Sequence, residues 1–270
     1  MNKNRAIFLN HNDTLTRLQL RTRPTPIIHP TITHNNHHLP LRNSVSDKLG
    51  RPLNTRILQS NNRLSTRHTN RQQSLEEETQ IKLLRNMQEW NKKREAMRHY
   101  DHLAQVYDAQ YSEEQNAKIE AALNNTKLSQ NEHVLDVGCG TGLLFQHVAK
   151  SAKLVIGIDV ASKILKEARK RTEQLPNTAV IRADADYTPF QNQTFDQVFA
   201  ITLLQNMPNP VKTLEEIKRV SKHQSTIVVT GLKNKFTQER FTKLLNKAGL
   251  KTSTLKTNPQ LKGHLAVCKK

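Results

Sequence analysis

Residues 134–142 read Val-Leu-Asp-Val-Gly-Cys-Gly-Thr-Gly. The apolar residues before Gly138 predict a buried strand that carries one acid, Asp136. Glycine at every second position from Gly138 predicts a sharp turn, because glycine adopts positive φ without strain and lets a ligand approach the main chain. A helix from Leu143 would offer free N–H groups to that ligand. The acid at the mouth of the loop favours a cationic ligand over a pyrophosphate.

The chain on both sides of this loop alternates short apolar runs with helical patterns. The predicted strands are 133–137, 153–158, 179–183, 195–201, 225–230, 251–256 and 264–268, and the predicted helices are 142–150, 161–173, 210–221 and 237–247. Such alternation predicts an α/β fold with a mostly parallel sheet and helices on both faces. The last two runs are joined without a helix, which predicts an antiparallel last strand at the edge. We therefore expect a Rossmann-like, seven-stranded sheet.

The composition changes along the 270 residues. Net charge is +19 and 35% of residues are hydrophobic, but residues 1–75 hold 12 Lys+Arg against 2 Asp+Glu and show no hydrophobic period. We expect 1–73 to be a disordered basic tail, because such a segment buries too little surface to offset chain entropy. Residues 74–131 are predicted to form N-terminal helices that act as a lid, and 132–270 the core.

Two capping-box patterns mark the expected helix starts in the lid. They are Ser74 with Glu77, and Ser112 with Gln115. Histidines 34, 37 and 38 cluster in the tail without acidic or cysteine partners, so we expect no metal site.

Cysteine content and hydropathy bear on the compartment. Cys139 and Cys268 do not form a disulfide framework, which favours a reducing compartment such as the cytoplasm. We expect no membrane span, because the chain has no run of about 18 apolar residues. The Arg-rich, Thr-rich and acid-poor N-terminus also fits a transit peptide, and that alternative stays open.

Acids follow the second and third predicted strands. Ligands of open α/β sheets lie beyond the carboxyl ends of the strands, where these acids would meet the glycine loop. Asp159 can accept from both hydroxyls of a ribose, because a carboxylate has two acceptor oxygens. Asp184 can accept from an exocyclic amine such as that of adenine, a role that Asp186 could also take.

Residues 134–142, 159, 184 and 195–207 together resemble the motifs of class I S-adenosylmethionine-dependent methyltransferases. The resemblance is to the small-molecule type related to ubiquinone/menaquinone methyltransferases and extends over about 98–270. It implies S-adenosyl-L-methionine as cofactor. The implied cofactor-binding residues are Asp136, Gly138, Cys139, Gly140, Thr141, Gly142, Asp159, Val160, Asp184, Ala185, Thr202 and Tyr107.

The resemblance also implies a role for several of these residues. The glycines would line the methionine part, and Asp136 would face its ammonium. Asp159 would bind the ribose, and Asp184 with the Ala185 N–H would hold the adenine. Thr202 would lie under the sulfonium. Tyr100 and Tyr107 would fold over the cofactor as part of the lid.

Other readings of these residues stay open. A dinucleotide site is the rival for the loop, but its spacing is Gly-x-Gly-x-x-Gly. Asp159 could cap a helix, and Asp184 could be a turn residue. The two tyrosines could be core aromatics, and Cys139 a small loop residue.

The acceptor and the catalytic residue are less well defined by the sequence. His99, His102, Tyr100 and Tyr107 are candidate bases, and none stands out. Residues 222–225 read Lys-His-Gln-Ser where quinone enzymes carry Lys-Pro-Gly-Gly, so quinone specificity has no support. We expect a methyltransferase with a small-molecule acceptor. The alternatives are an RNA methyltransferase, favoured by the basic charge, and a non-catalytic cofactor-binding regulatory module.

Overall fold

The computed structural model describes residues 7–8, 55–256 and 258–270, with the backbone alone for 7–8, 55–70, 72 and 73. One compact unit contains Glu89–Lys270 and the strand Ile7–Phe8. A second unit contains the described residues 55–88. The predicted disordered tail lies outside the described residues for 1–6 and 9–54, as do the three clustered histidines.

The helices and strands alternate as the sequence predicts. The helices are α1 (Thr55–Leu103), α2 (Tyr107–Leu123), α3 (Leu143–Val148), α4 (Ser162–Thr172), α5 (Pro210–Val220) and α6 (Gln238–Lys247). The strands are β1 (Ile7–Phe8), β2 (His133–Val137), β3 (Leu154–Asp159), β4 (Thr178–Arg182), β5 (Phe195–Ala200), β6 (Ser221–Leu232), β7 (Lys251–Lys256) and β8 (Gly263–Lys269). None of the helices in the described residues is long and apolar enough to cross a membrane.

Within the described residues, the strands form one sheet in the order β1-β4-β3-β2-β5-β6-β8-β7. The strands β4, β3, β2, β5 and β6 are parallel, and β8 and β7 form an antiparallel hairpin at one edge. These seven strands confirm the predicted fold class. The short β1, which the sequence analysis assigned to the tail, pairs antiparallel with β4 at the other edge.

Helices cover both faces of the sheet, because alternate residues of each strand point to opposite sides. Leu135 of β2 belongs to the buried cluster that contains Leu214 of α5 and Phe241 of α6. Its neighbour Val134 belongs to the cluster that contains Phe145 of α3. The prediction that helices cover both faces of the sheet is therefore confirmed.

The N-terminal helices differ from the prediction in their starts. α1 begins at Thr55 rather than at Ser74, since no proline or glycine interrupts the chain between Pro52 and the end of α1. Ser74 lies inside the helix, where its hydroxyl donates to the Arg71 carbonyl (3.0 Å), and Ser112 lies inside α2. Both capping-box predictions were therefore wrong. A serine hydroxyl inside a helix can bond to a carbonyl one turn back instead.

Candidate functional site

One cavity, here called the donor cavity, lies at the carboxyl ends of β2, β3 and β4. Its lining includes eight of the predicted site residues: Gly138, Gly140, Asp159, Val160, Asp184, Ala185, Thr202 and Tyr107. Asp136, Cys139, Thr141 and Gly142 do not line it. Residues of α1 complete the wall, and sequence reasoning missed them: Lys93, Ala96 and Met97.

The glycine loop is tied to the next strand through its backbone. The N–H groups of Gly138 and Cys139 both donate to the Ile158 carbonyl, at 2.8 and 3.0 Å. Gly138 has φ of +75°, and a Cβ there would lie 2.9 Å from Leu203 Cδ1. Gly140 lines the cavity, where an added Cβ would meet only Ile164 at 3.7 Å. The loop therefore leaves its main chain open to a ligand.

Gly157 of β3 is a further position where the loop requires a small residue. A Cβ there would lie 2.5 Å from the Phe145 ring and 2.8 Å from Cys139 Sγ. Burial raises the pKa of the Cys139 thiol, so the group stays neutral. Cys139 thus packs between the loop and the strand. The sequence contained Gly157, but no local pattern marked its role.

Asp159 is the last residue of β3 and faces the loop. Its carboxylate accepts from the backbone N–H of Gly140 (3.1 Å) and of Ala161 (2.9 Å). Burial raises its pKa, and these backbone hydrogen bonds oppose that rise. A carboxylate oxygen that accepts one such bond keeps a second lone pair for a ligand hydroxyl.

Asp136 lies in the interior of β2, and its residue is 4% exposed. Burial raises its pKa to about 8, and the charge of Asp159 adds to that rise. Removing a carboxylate from water disfavours its charged form unless a cation compensates. Two neighbouring acids at the carboxyl edge of the sheet therefore favour a cation.

Asp184 and Asp186 follow β4 and share one lysine of α1. Lys93 Nζ lies 2.7 Å from Asp184 Oδ2 and 2.5 Å from Asp186 Oδ2. The Asp186 side chain is fully buried and also accepts from the Thr213 hydroxyl at 2.5 Å. The Lys93 ammonium therefore forms ion pairs with two acids, each more than 90 residues away along the chain.

Thr202 follows β5 with φ of +60° and lies in a polar network. Its hydroxyl donates to Gln115 Oε1 (2.8 Å) and accepts from Lys118 Nζ (3.1 Å). Lys118 is 1% exposed and also binds Glu114 Oε1 at 2.6 Å. This network of α2 fixes the position of Thr202 beside the donor cavity.

Two tyrosines of the N-terminal helices line the cavity. Tyr100 and Tyr107 pack against Ala161 and Ile164, with 6.1 Å between their ring centroids. Asn206 Nδ2 donates to Tyr100 Oη at 2.8 Å. Burial raises the pKa of both phenols, so both stay protonated near neutral pH. A protonated phenol is a poor general base, which argues against these two candidates.

Comparison with known proteins finds a methyltransferase domain in this chain. A family model described as a methyltransferase domain matches residues 135–229. The chain is 31% identical over 142 residues to malonyl-[acyl-carrier protein] O-methyltransferase of Marinomonas sp., which covers 52% of each protein. It is 33% identical over 109 residues to demethylmenaquinone methyltransferase of Tropheryma whipplei, or 40% of this chain and 45% of that one.

Residues 135–229 thus match a methyltransferase domain, and these similarities support the class I S-adenosylmethionine-dependent type. A crystal structure of a SAM-dependent methyltransferase from Aquifex aeolicus has the same fold, with a TM-score of 0.50 and 22% identity over 56% of this chain and 88% of that one. The chain spans about half the length of the first curated relatives it matches.

The cofactor of this methyltransferase domain is S-adenosylmethionine. The observed residues fit that molecule, which joins a cation to a ribose and an adenine. The acids Asp136 and Asp159 lie near each other at the carboxyl edge of the sheet, and Asp159 keeps lone pairs for hydroxyls. Asp184 lies farther along the same cavity, where its oxygens already bind Lys93.

The helices α1 and α2 contact the rest of the domain through two Tyr-Asp pairs, Tyr100-Asp101 and Tyr107-Asp108. Asp101 accepts from the backbone N–H of Lys163 at 2.5 Å, in the first turn of α4. Asp108 accepts from the Thr141 hydroxyl (2.6 Å) and pairs with Arg171. Arg171 also donates to the Thr141 carbonyl at 2.7 Å. The acids of the two pairs therefore bind α1 and α2 to the glycine loop and α4, while the tyrosines line the cavity.

Proposed function

We propose that this protein transfers the methyl group of S-adenosylmethionine to a small-molecule acceptor. The main support is a second cavity, here the acceptor cavity, which adjoins the donor cavity. Four residues line both cavities: Tyr100, Tyr107, Thr202 and Asn206. A methyl donor in one cavity can therefore face a nucleophile in the other without crossing solvent.

The proposed cofactor orientation follows the order of the strand ends. Asp136 and the glycine loop, Gly138 to Gly142 with Cys139 and Thr141, take the methionine ammonium and its surroundings. Asp159 and Val160 take the ribose. Asp184 and the Ala185 N–H take the adenine. Thr202 and Tyr107 border the transferred methyl, because both belong to the shared wall of the two cavities.

The chemistry needs chiefly a held nucleophile. The sulfonium supplies an activated methyl group, so the protein's part is to hold the acceptor atom in line at near-attack distance, which is the proximity effect. The partly buried Asn206–Tyr100 hydrogen bond and the Thr202 network connect the residues of the shared wall. A base is needed only if the acceptor keeps its proton, and we assign none.

RNA as the acceptor is the second candidate, and the net charge of +19 favours it. Lysine and arginine neutralise phosphates in a salt-dependent way. We also propose a reducing compartment such as the cytoplasm, since Cys139 and Cys268 are both free and buried.

Methyl transfer from labelled cofactor into cell extract separates these candidates. We expect label in the small-molecule fraction and none above background in RNA or protein. Label confined to RNA, with bulk tRNA binding that weakens steeply with salt, would replace the first candidate by the second. Cofactor binding without label in any fraction would favour a non-catalytic module.

Cofactor affinity should depend on pH through Asp136. Its carboxyl has a pKa of about 8 in the free protein, so it is largely protonated at pH 7, and a cation beside it favours proton loss. Affinity should therefore rise with pH up to about 8, by at most about tenfold per unit. Calorimetry in two buffers of different ionisation enthalpy should detect the released proton.

The matched variant is Asp136→Asn, which is nearly isosteric and does not titrate. It should bind S-adenosylmethionine more weakly and release no proton from this position. The ammonium of the ligand titrates in both proteins, so their difference reports Asp136 alone. Equal proton release by the variant and the parent would remove this role of Asp136.

A further inference from the structure

The acceptor cavity has a volume of about 520 Å³, within the usual range for small-molecule sites. It lies between α2, the segment after β6 and the hairpin of β7 and β8. Its inner wall is the shared border with the donor cavity. Its lining includes three leucines and Tyr111: Leu103, Leu232 and Leu261. The lining therefore suits a molecule that has an apolar body and polar groups.

The charges around this cavity are unequal. Lys233 and Lys262 line it, and Glu114 is the acid in its lining. Glu114 already lies between two ammonium groups, at 2.6 Å from Lys118 and 2.8 Å from Lys262. Its pKa is lowered because both lysines stabilise the carboxylate against the cost of burial. The lining thus holds two lysines and one carboxylate, and the buried Lys118 lies behind it on Glu114, which leaves the charge around the cavity positive.

The lysines are distributed along the depth of the cavity. Lys118 is buried beneath Thr202, at the inner wall. Lys262 has 75% of its side chain exposed, and Lys233 donates to the Asn258 carbonyl at 2.6 Å. The exposed Lys262 ammonium keeps room for a second anionic partner, since an ammonium has three donors.

We propose that the methyl acceptor is an anionic small molecule, with a carboxylate or phosphate bound by Lys233 and Lys262 at the cavity mouth. Its apolar body lies along the leucines, and its nucleophilic atom faces Thr202 and Asn206. The acceptor lone pair forms the bond to the methyl carbon as the methyl–sulfur bond breaks and its electron pair stays on sulfur. Any proton on the acceptor atom leaves to solvent. This inference rests on the proposed methyl transfer.

Ligand-observed NMR on the full chain saturated with S-adenosylhomocysteine tests this. The probes are sets of one aromatic skeleton that differ in a single group: a carboxylate, a phosphate, a neutral amide or an amine. We expect the carboxylate or the phosphate to bind about five- to tenfold more tightly than the amide. Which of the two binds better identifies the anion. Equal binding of acid and amide, preference for the amine, or no anionic binder overturns the proposal.

Matched variants locate the effect. Lys233→Gln with Lys262→Gln should abolish the preference for acid over amide, and Lys262→Arg should keep it. Lys243→Gln removes an exposed lysine of α6 that pairs with Glu239, and should change nothing. An unchanged preference in the double variant overturns the assignment. Titration of S-adenosylmethionine into the same proteins without S-adenosylhomocysteine separates the two failures. Absent cofactor binding overturns the proposed function, whereas cofactor binding without a preference for the acid overturns only the anionic acceptor.

Discussion

Replacing Lys93 with alanine is expected to lower the free energy of unfolding by about 3–5 kcal/mol. The side chain is 7% exposed, and its ammonium neutralises Asp184 and the fully buried Asp186. Without it, two carboxylates stay close together in a medium that solvates them poorly. Breaking a buried ion pair from one side is costly because the partner charge remains. Urea unfolding followed by circular dichroism at neutral pH measures the loss.

Lys92 provides the control for this prediction. It precedes Lys93 on the same helix but is exposed, so Lys92→Ala should change stability by less than about 0.5 kcal/mol. Adding Asp184→Asn and Asp186→Asn to Lys93→Met should recover much of the lost stability, since no buried charge then remains. A Lys93→Ala protein as stable as the Lys92→Ala protein would show that the three charges do not act together.

Asp159→Asn should weaken S-adenosylmethionine binding by at least about 100-fold. We propose that this carboxylate accepts from both ribose hydroxyls, and hydrogen bonds to a charged group contribute about 1.5–3 kcal/mol each. The Gly140 and Ala161 N–H groups bind different oxygens of Asp159, so asparagine can still accept from one of them and loses the other bond. Because burial already disfavours the charged form, the substitution should leave the fold intact. Calorimetry with the full chain gives the affinity.

Two comparisons make this result specific. 5′-Methylthioadenosine keeps the ribose but lacks the ammonium, so Asp159→Asn should weaken both ligands, whereas Asp136→Asn should weaken S-adenosylmethionine alone. Asp196→Asn alters an acid at the amino end of β5, where it binds Lys222 and the His133 N–H, and should not affect binding. The ribose assignment is refuted if Asp159→Asn binds both ligands like the parent.

The sheet was predictable because its evidence is local. Alternating apolar runs and helical patterns identify each strand within a few residues, and β3 ends at Asp159, one residue beyond its predicted end. The acids at strand ends were also predictable, since parallel strands bring their carboxyl ends to one edge. The sequence therefore predicted most of the wall that the sheet contributes to the donor cavity.

The lysines contributed by α1 and α2 were not predictable in this way, although Tyr100 and Tyr107 of the same helices were. Lys93 is one of several lysines on a charged helix, and its acidic partners lie far along the chain. Lys118 sits in a pattern typical of a solvated helix face, yet it is buried beneath Thr202. Such pairings depend on how α1 and α2 pack on the sheet. The hydrophobic periodicity of a sequence contains no information about that packing. The early start of α1 was missed because its polar sequence resembles that of a disordered segment.

The attachment of the lid has a consequence for where this domain can be divided. The match to the methyltransferase-domain model begins at residue 135, yet Lys93, Asp101 and Asp108 each neutralise or cap a group beyond that point. A fragment that begins at residue 135 would leave those groups without their partners. The helices that precede residue 135 are thus part of the unit that must fold, although the matched residues do not include them.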